Sequence, residues 1–284
     1  MHDKSGPADD VAKDCLVTRI AELPSCLIAF SGGVDSAVVT KAAQLALGDQ
    51  AIAITGVSSS LADGELSLAR RTARAIGIRH EMLDTNEFSK TGYLENQPDR
   101  CWHCKTELYE QLQVFGKRLG IKHILNGANA DDAGDFRPGM RAASERQVLS
   151  PLLECDINKQ AVRRIAKSWD LEVWNKPAMP CLSSRVVYGL EVTPERLARV
   201  DDAEQLLRGL GIGDVRVRYH HDDLARIEVS ANQLARLCEP KLRAEIVSQL
   251  REVGFQYVTI DLEGFRSGSF QQLVPADELT RYLG

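Results

Sequence analysis

Leu27-Ile28-Ala29-Phe30-Ser31-Gly32-Gly33-Val34-Asp35-Ser36-Ala37-Val38-Val39 decides the fold. Leu27 to Phe30 is a short apolar run that reads as a buried strand, and helical spacing resumes at Val34. The turn between them carries two glycines, two hydroxyls and one carboxylate. Gly32 and Gly33 have no Cβ, so the backbone can turn sharply and bring its N–H groups close to a ligand. Those N–H groups, with the positive end of the helix that follows, suit an anion and above all a phosphate.

The two familiar phosphate loops are missing. No Gly-x-x-x-x-Gly-Lys-Ser/Thr occurs, so there is no Walker lysine, and no Gly-x-Gly-x-x-Gly follows the strand. Ser31-Gly32-Gly33-Val34-Asp35-Ser36 instead resembles the PP-loop of the ATP pyrophosphatases, which cleave ATP between its α and β phosphates. That resemblance implies a class of chemistry without a substrate.

Strand and helix patterns alternate through the first two thirds of the chain. A helix over 9–23 precedes the strand and loop, and the helix of 34–47 stops near Gly48. A strand at 51–55 runs into the loop Gly56-Val57-Ser58-Ser59-Ser60, followed by a helix over 64–76 and a strand at 79–83. A helix from about Cys104 to Leu119 leads to a strand at 122–125, which ends in Asn126-Gly127-Ala128-Asn129-Ala130-Asp131-Asp132. A helix over 157–169 and a brief strand at 171–174 complete the series. The alternation predicts a doubly wound α/β fold, a parallel sheet with helices on both faces. ATP is then expected at the carboxyl edge of that sheet. Its predicted contacts are Ser31, Gly32, Gly33, Asp35, Ser36, Ser58, Gly127 and Asp132. Asp35 is also a candidate Mg²⁺ ligand, directly or through water. Asp131 and Asp132 read equally as metal or ATP ligands and as helix N-terminal charges.

Past about residue 185 the texture changes. Thr193-Pro194-Glu195 is a helix start, with a hydroxyl N-cap and proline at the first helical position. Its helix reaches about Leu210, and the valine–arginine alternation of 214–219 predicts a half-exposed strand. A partner strand at 224–229, helices near 231–237 and 240–253, and a strand at 257–262 make a small C-terminal α+β domain. The expected division is 1–184 for the ATP domain and 185–284 for the smaller C-terminal domain.

Composition sets the outer limits. The 284 residues are 44% hydrophobic and 26% charged, with net charge −5. Those are ordinary values for a soluble globular protein, and the acidic balance argues against a nucleic-acid partner. No apolar run approaches 18 residues, so no membrane span or signal peptide is expected, and the expected location is cytoplasmic. The seven cysteines are then expected as reduced thiols. Cys15, Cys26, Cys155 and Cys238 read as core residues. Cys101-Trp102-His103-Cys104 suits a metal, a cluster, redox chemistry or nothing, because a structural zinc site would want a second pair. Cys181 sits in Pro177-Ala178-Met179-Pro180-Cys181-Leu182-Ser183-Ser184-Arg185, a loop with two prolines. A cation such as Arg185 beside it would favour the reactive thiolate.

Taken together, several motifs resemble the LarE family over nearly the whole chain. They are the loop at Ser31, the Cys101 cluster, Asn126 to Asp132, Asp135-Phe136-Arg137-Pro138-Gly139, Pro177 to Gly189, Arg216-Val217-Arg218-Tyr219, Ala225-Arg226-Ile227-Glu228 and Gly264-Phe265-Arg266-Ser267-Gly268-Ser269. The resemblance implies an ATP-dependent sulfur transferase of nickel-pincer cofactor synthesis. Its implied substrate is a small-molecule nucleotide, pyridinium-3,5-biscarboxylic acid mononucleotide, and its cofactors are ATP and Mg²⁺. It implies Cys181 as the catalytic thiol, with Arg216, Arg218 and Glu228 near the substrate and an oligomeric assembly. Some family members sacrifice their own cysteine sulfur, leaving dehydroalanine. Some related sulfur transferases instead use three cysteines to hold a [4Fe-4S] cluster, for which Cys101, Cys104 and Cys181 are the candidates. Trp102 stacks on a base or pyridinium, or simply packs; both readings stand. A tRNA-thiolating enzyme, an ammonia-using synthetase and a non-catalytic nucleotide-binding or iron–sulfur scaffold are the alternatives.

Overall fold

A computed structural model describes residues 7–134 and 138–266. Asp135-Phe136-Arg137 and Ser267-Gly268-Ser269, parts of two motifs quoted above, lie outside the described residues. In chain order the elements begin with α1 (Pro7–Ala21), β1 (Cys26–Ala29), α2 (Val34–Leu47), β2 (Ala51–Val57), α3 (Glu65–Ile76) and β3 (Arg79–Asp84). The chain continues through α4 (Thr91–Leu94), α5 (Arg100–Leu119), β4 (His123–Leu125), α6 (Pro138–Glu145), α7 (Pro151–Glu154) and α8 (Lys159–Ser168). It ends with α9 (Pro194–Gly209), β5 (Val215–His220), β6 (Leu224–Val229), α10 (Leu234–Leu237), α11 (Pro240–Val253) and β7 (Tyr257–Ile260).

These elements form two compact units. The first gathers the chain up to Ser58, Asp63–Glu87 and Cys101–Met179; the second gathers Ser59–Ala62, Phe88–Arg100 and the chain from Pro180 on.

The first unit is the doubly wound sheet. Its strand order is β3-β2-β1-β4 with every pair parallel. Side chains of a strand alternate between faces, and β1 and β2 are apolar at every position but Gly56 and Thr55, whose hydroxyl is hydrogen-bonded, because both faces are covered. Cys26, Ile28, Ala51 and Ala53 enter one core with residues of α1, α2, α3 and α8. Leu27, Ile52 and Ile54 enter the other, with Tyr109 and Leu112 of α5 and Ala142 and Ala143 of α6. Each fully buried aliphatic side chain contributes about 1.5–3 kcal/mol. β2 lies on one side of β1 and β4 on the other. The strand order therefore reverses between β1 and β4, where open α/β sheets hold ligands.

The second unit is the small α+β domain. β5 pairs antiparallel with β6, and β6 pairs parallel with β7. Thr193 caps α9 as predicted, its hydroxyl accepting from the Arg196 amide at 3.3 Å. The earlier segments are stitched in by hydrogen bonds. The Leu182 amide donates to Ser60 O at 2.9 Å, and Asn96 Nδ2 donates to Val187 O and Leu190 O at 2.8 Å each.

The structure departs from the sequence reading in four places. The strand expected at 171–174 is a 3₁₀ turn over Glu172–Asn175, because Leu171 and Val173 reach the core by closing back on α8. The helix expected from Cys104 begins at Arg100, so Cys101 and Cys104 lie on its first turn. Residues 231–237 form a 3₁₀ turn and one short helical turn rather than one helix. β5 is not half-exposed. Arg216 and Arg218 are only 4% and 7% exposed. Each is buried with partners, Arg218 on Glu228 and Arg216 against the Phe265 ring.

His220, at the end of β5, accepts from Arg226 Nε at 3.1 Å. Burial, then the Arg226 charge, depress its imidazole to about 4. The unfolded chain, with an ordinary histidine near 6.5, then binds more protons than the folded one between about pH 6.5 and 4. This contribution is present at neutral pH and lost as pH falls through that window. His220→Gln, which keeps an acceptor for Arg226, should flatten the decline in melting temperature between pH 7 and 4. A second expectation concerns Glu204, which is fully buried on Arg185. Glu204→Ala leaves that guanidinium unpaired and should lower stability by about 3–5 kcal/mol in urea titrations followed by circular dichroism.

Candidate functional site

The phosphate loop of the first unit is closed by its own hydroxyls. Ser36 Oγ donates to Gly33 O at 3.0 Å, and the Ser31 and Ser36 hydroxyls meet at 3.2 Å. The Gly33 amide donates to Ser31 Oγ at 3.3 Å. Gly32 sits at φ +71°, and a Cβ there would lie 3.1 Å from Ala69 Cα, so glycine is required on both counts. Gly33 is the N-cap of α2 and offers no side chain to its first amides, which leaves that helix end open to an anion. Gly127, after β4, packs against the same helix end. A Cβ there would fall 2.8 Å from the Ser36 amide nitrogen.

Asp35 points from the first turn of α2 into a polar cluster. Its Oδ1 accepts from Asn129 Nδ2 at 3.1 Å, and its Oδ2 is paired with the Lys159 ammonium. Lys159 opens α8, and its amide donates to Asp131 Oδ2 at 2.9 Å. Asp131 thus takes the helix N-terminal role, and Asp132, buried, accepts from the Asn129 amide at 3.0 Å to hold its own loop. Sequence reasoning missed Lys159. The only signal was its place just after Asn158, an N-cap residue type. Lys159 thus brings a cation from the start of α8 to the carboxylate of the phosphate loop. Ser58, past the end of β2, donates to Glu87 Oε1 at 2.5 Å. Behind the loop, Thr55 Oγ1 donates to Phe30 O at 2.8 Å and meets His80 Nε2 at the same distance. Burial, followed by the charge of Arg70, lowers the His80 imidazole below its usual range.

Cys101 and Cys104 are three apart on α5, so they share one side of the helix, Cys101 exposed and Cys104 half-buried. Trp102 between them is engaged within its own unit. Its Nε1 donates to Glu145 Oε2 at 2.9 Å, and the Arg141 guanidinium lies 5.0 Å from the ring centroid.

In the second unit Cys181 heads a 3₁₀ turn, Leu182–Arg185, and is exposed. Three guanidinium groups grip that turn by its main-chain carbonyls. Arg185 Nη1 donates to Cys181 O at 3.0 Å and to Pro180 O. Arg100 donates to Ser183 O at 2.8 Å, and Arg218 to Ser184 O at 3.0 Å. Arg185 was expected beside the thiol; it is completely buried and faces backbone oxygens instead. Its Nε lies 3.0 Å from Glu204 Oε1, and Arg208 holds the other carboxylate oxygen at 2.6 Å. Arg218 grips Glu228 through Nε at 2.9 Å and Nη2 at 2.7 Å, while Arg226 takes the second Glu228 oxygen at 3.1 Å. Burial, followed by repulsion from Arg185, pulls the Arg216 guanidinium below its usual range. Arg100, Glu204 and Arg208 were not anticipated, since a lone charge in a helix pattern reads as a solvated face. Of the four cysteines assigned to the core, only Cys26 is buried, which pushes its thiol up to about 12. Cys15 and Cys238 are exposed and Cys155 is half-buried. Cys155 still packs against the first core, and burial pushes its thiol up to about 12; the core reading fails for Cys15 and Cys238.

The sequence profile of the asparagine synthase family matches residues 9–128, which span the phosphate loop. The chain is 46% identical over 253 residues to an uncharacterized protein of Synechocystis, covering 89% of this chain and 94% of that one. It is 35% identical over 271 residues to the pyridinium-3,5-bisthiocarboxylic acid mononucleotide synthase of Lactiplantibacillus plantarum, covering 95% of this chain and 97% of that one. The chain belongs to the LarE family. A tRNA-specific 2-thiouridylase of Rickettsia canadensis is more remote, 25% identical over 53% of this chain and 51% of its own. LarE membership makes the chain an ATP-dependent sulfur transferase of the PP-loop class. Among the described residues no helix is long and apolar enough to cross a membrane.

Lys159 gives this site a direct check. Removing its ammonium leaves Asp35 uncompensated in the PP-loop, the expected ATP site, and a charge-assisted contact contributes about 1.5–3 kcal/mol. Lys159→Ala should therefore raise the KM for ATP at least about tenfold in a pyrophosphate-release assay, with Lys159→Arg recovering part of the loss.

Proposed function

We propose that this LarE-family chain converts a pyridinium dicarboxylate mononucleotide to its thiocarboxylate, with Cys181 giving up its own sulfur. The observation that carries the reading is the exposed Cys181 thiol heading a turn anchored through its backbone, in a chain that also bears a PP-loop. A carboxylate is a poor acyl electrophile, and adenylation gives it a leaving group. The open amides of α2, with Gly32 and Gly33, suit the phosphates of ATP. Both oxygens of Asp35 are engaged by Asn129 and Lys159, so a role for Asp35 with Mg²⁺ requires Lys159 to turn from the carboxylate to the phosphates. Mg²⁺ would neutralise charge on the departing pyrophosphate.

The Cys181 thiolate then attacks the acyl-adenylate, expelling AMP and forming a thioester. Cleavage of the Cys181 Cβ–S bond leaves dehydroalanine in the chain and the sulfur on the product. Arg216 and Arg218 lend the substrate's phosphate or carboxylates positive charge from beneath the Cys181 turn; the Arg218 fork itself is taken by Glu228 and Ser184 O, so a direct contact would require it to share those donors. Glu228 fixes the Arg218 fork. On this reading the small-molecule nucleotide is the partner, and a cytoplasmic location and an oligomeric assembly remain part of the proposal.

Cys101 and Cys104 favour a second reading, in which a [4Fe-4S] cluster carries the sulfur. Two thiolates on one helical turn fit part of such a donor set, and Cys181 would be the third. Among the described residues no group of three metal-ligating side chains is assembled.

Intact mass separates the readings. With ATP, Mg²⁺ and the dicarboxylate mononucleotide, the as-purified protein should release pyrophosphate and lose about 34 Da, one H₂S, at Cys181. Cys181→Ala should still release pyrophosphate but yield no thiocarboxylate. Thiocarboxylate formed without mass loss, and only after anaerobic iron–sulfur reconstitution, would select the cluster. Absence of pyrophosphate release under both conditions would sink the reading for this substrate.

A further inference from the structure

The carbonyl oxygen of Cys181 is unusually well supplied with donors. Arg185 Nη1 reaches it at 3.0 Å, Ser184 Oγ at 2.7 Å and the Ser184 amide at 3.0 Å. Three donors on one peptide oxygen exceed what a structural turn requires, and one of them is cationic. The thiol on the same residue is exposed and free of a disulfide. The donors therefore address the backbone of Cys181, not its sulfur.

That placement matters for one kind of chemistry. Breaking a cysteine Cβ–S bond by elimination first requires loss of the Cα proton. The electron pair left on Cα spreads into the residue's own carbonyl, so negative charge develops on the Cys181 oxygen. Donors set in advance about an oxygen that becomes anionic stabilise the transition state far more than the ground state.

We propose that Arg185 and Ser184 form an oxyanion hole for the enolate of Cys181 and so drive the cleavage of its Cβ–S bond. The proposal rests on the sulfur-sacrificing reading above. In the step, water or hydroxide takes the Cα proton and the electron pair moves onto the Cys181 oxygen. As it returns to form the Cα=Cβ bond, the Cβ–S bond breaks and its electrons leave on the thiocarboxylate. Thioester and base thus give dehydroalanine, thiocarboxylate and the protonated base, with no oxidant or reductant.

Arg185 suits the role because its charge is permanent and its direction is fixed. Glu204, itself fully buried, receives Arg185 Nε at 3.0 Å and Nη2 at 3.3 Å, which leaves Nη1 for the carbonyls. Glu204 is thereby a positioning residue, whereas Arg185 and Ser184 touch the reacting atom.

The test uses the full-length protein and a leaving group that needs neither ATP nor the nucleotide. Exposed thiols are arylated with 1-fluoro-2,4-dinitrobenzene, and dehydroalanine formation at mildly alkaline pH is followed by peptide mapping. Cys15, exposed on α1, serves as the internal reference. The expected result is faster elimination at Cys181 than at Cys15. Ser184→Ala and Arg185→Lys should each slow it on the order of 10²-fold, the scale of losing one oxyanion donor, with Cys15 unchanged. Ser184 is near the surface, so its variant decides the matter should Arg185→Lys fail to fold. Equal rates at Cys181 and Cys15, or rates at Cys181 that neither variant changes, would overturn the proposal. Fast elimination from the arylated protein, without loss of H₂S in the ATP reaction, would instead overturn the sulfur-sacrificing reading and leave the oxyanion hole standing.

Discussion

The second unit depends on one carboxylate. Glu204, on α9, has no exposure to solvent, yet it collects Arg185, Arg208 and the Val217 amide. A buried charge is tolerable only when it is paired and hydrogen-bonded. Its partners come from the turn after Cys181, from α9 itself and from β5, so one side chain ties a helix, a strand and a turn together. Arg218 and Glu228 repeat the device one pair further along the sheet. The arginines then spend their remaining donors on the carbonyls of the Cys181 turn.

The first unit is organised by topology instead. A parallel sheet covered on both faces makes its central strands almost wholly apolar, and the reversal of order between β1 and β4 opens the edge there. Two chain segments far apart in sequence then meet as bare backbone. Gly127 lies so close to the first turn of α2 that a methyl group would collide with it. Asp35, Asn129 and Lys159 tie those two segments to the start of α8 through charge and hydrogen bonds.

What the sequence disclosed follows from the range of the interactions involved. The strand, loop and helix around Ser31 were legible because apolar periodicity and glycine chemistry are local, and β6, α2 and α11 took the expected limits. Arg216 and Arg218 read as exposed because alternation reports faces and says nothing about a buried counter-charge supplied by Glu228. Lys159 stayed hidden for the same reason, since its partner Asp35 is more than a hundred residues away in sequence. The family resemblance named the chemistry and made Cys181 the candidate thiol, while the grip on the Cys181 backbone, built from residues as far apart in sequence as Arg100 and Arg218, is not legible in the sequence.

That grip bears on what becomes of each molecule after it has acted. The turn is held by peptide oxygens, and none of those bonds involves sulfur. On the proposed chemistry a copy that has surrendered its sulfur keeps the same anchored turn and the same nucleotide loop. It would go on occupying ATP and substrate without delivering anything. The cell would then have to hold fresh copies in excess or clear the exhausted ones, so synthesis and degradation of the polypeptide, not the rate constants of the loop, would set the supply of product.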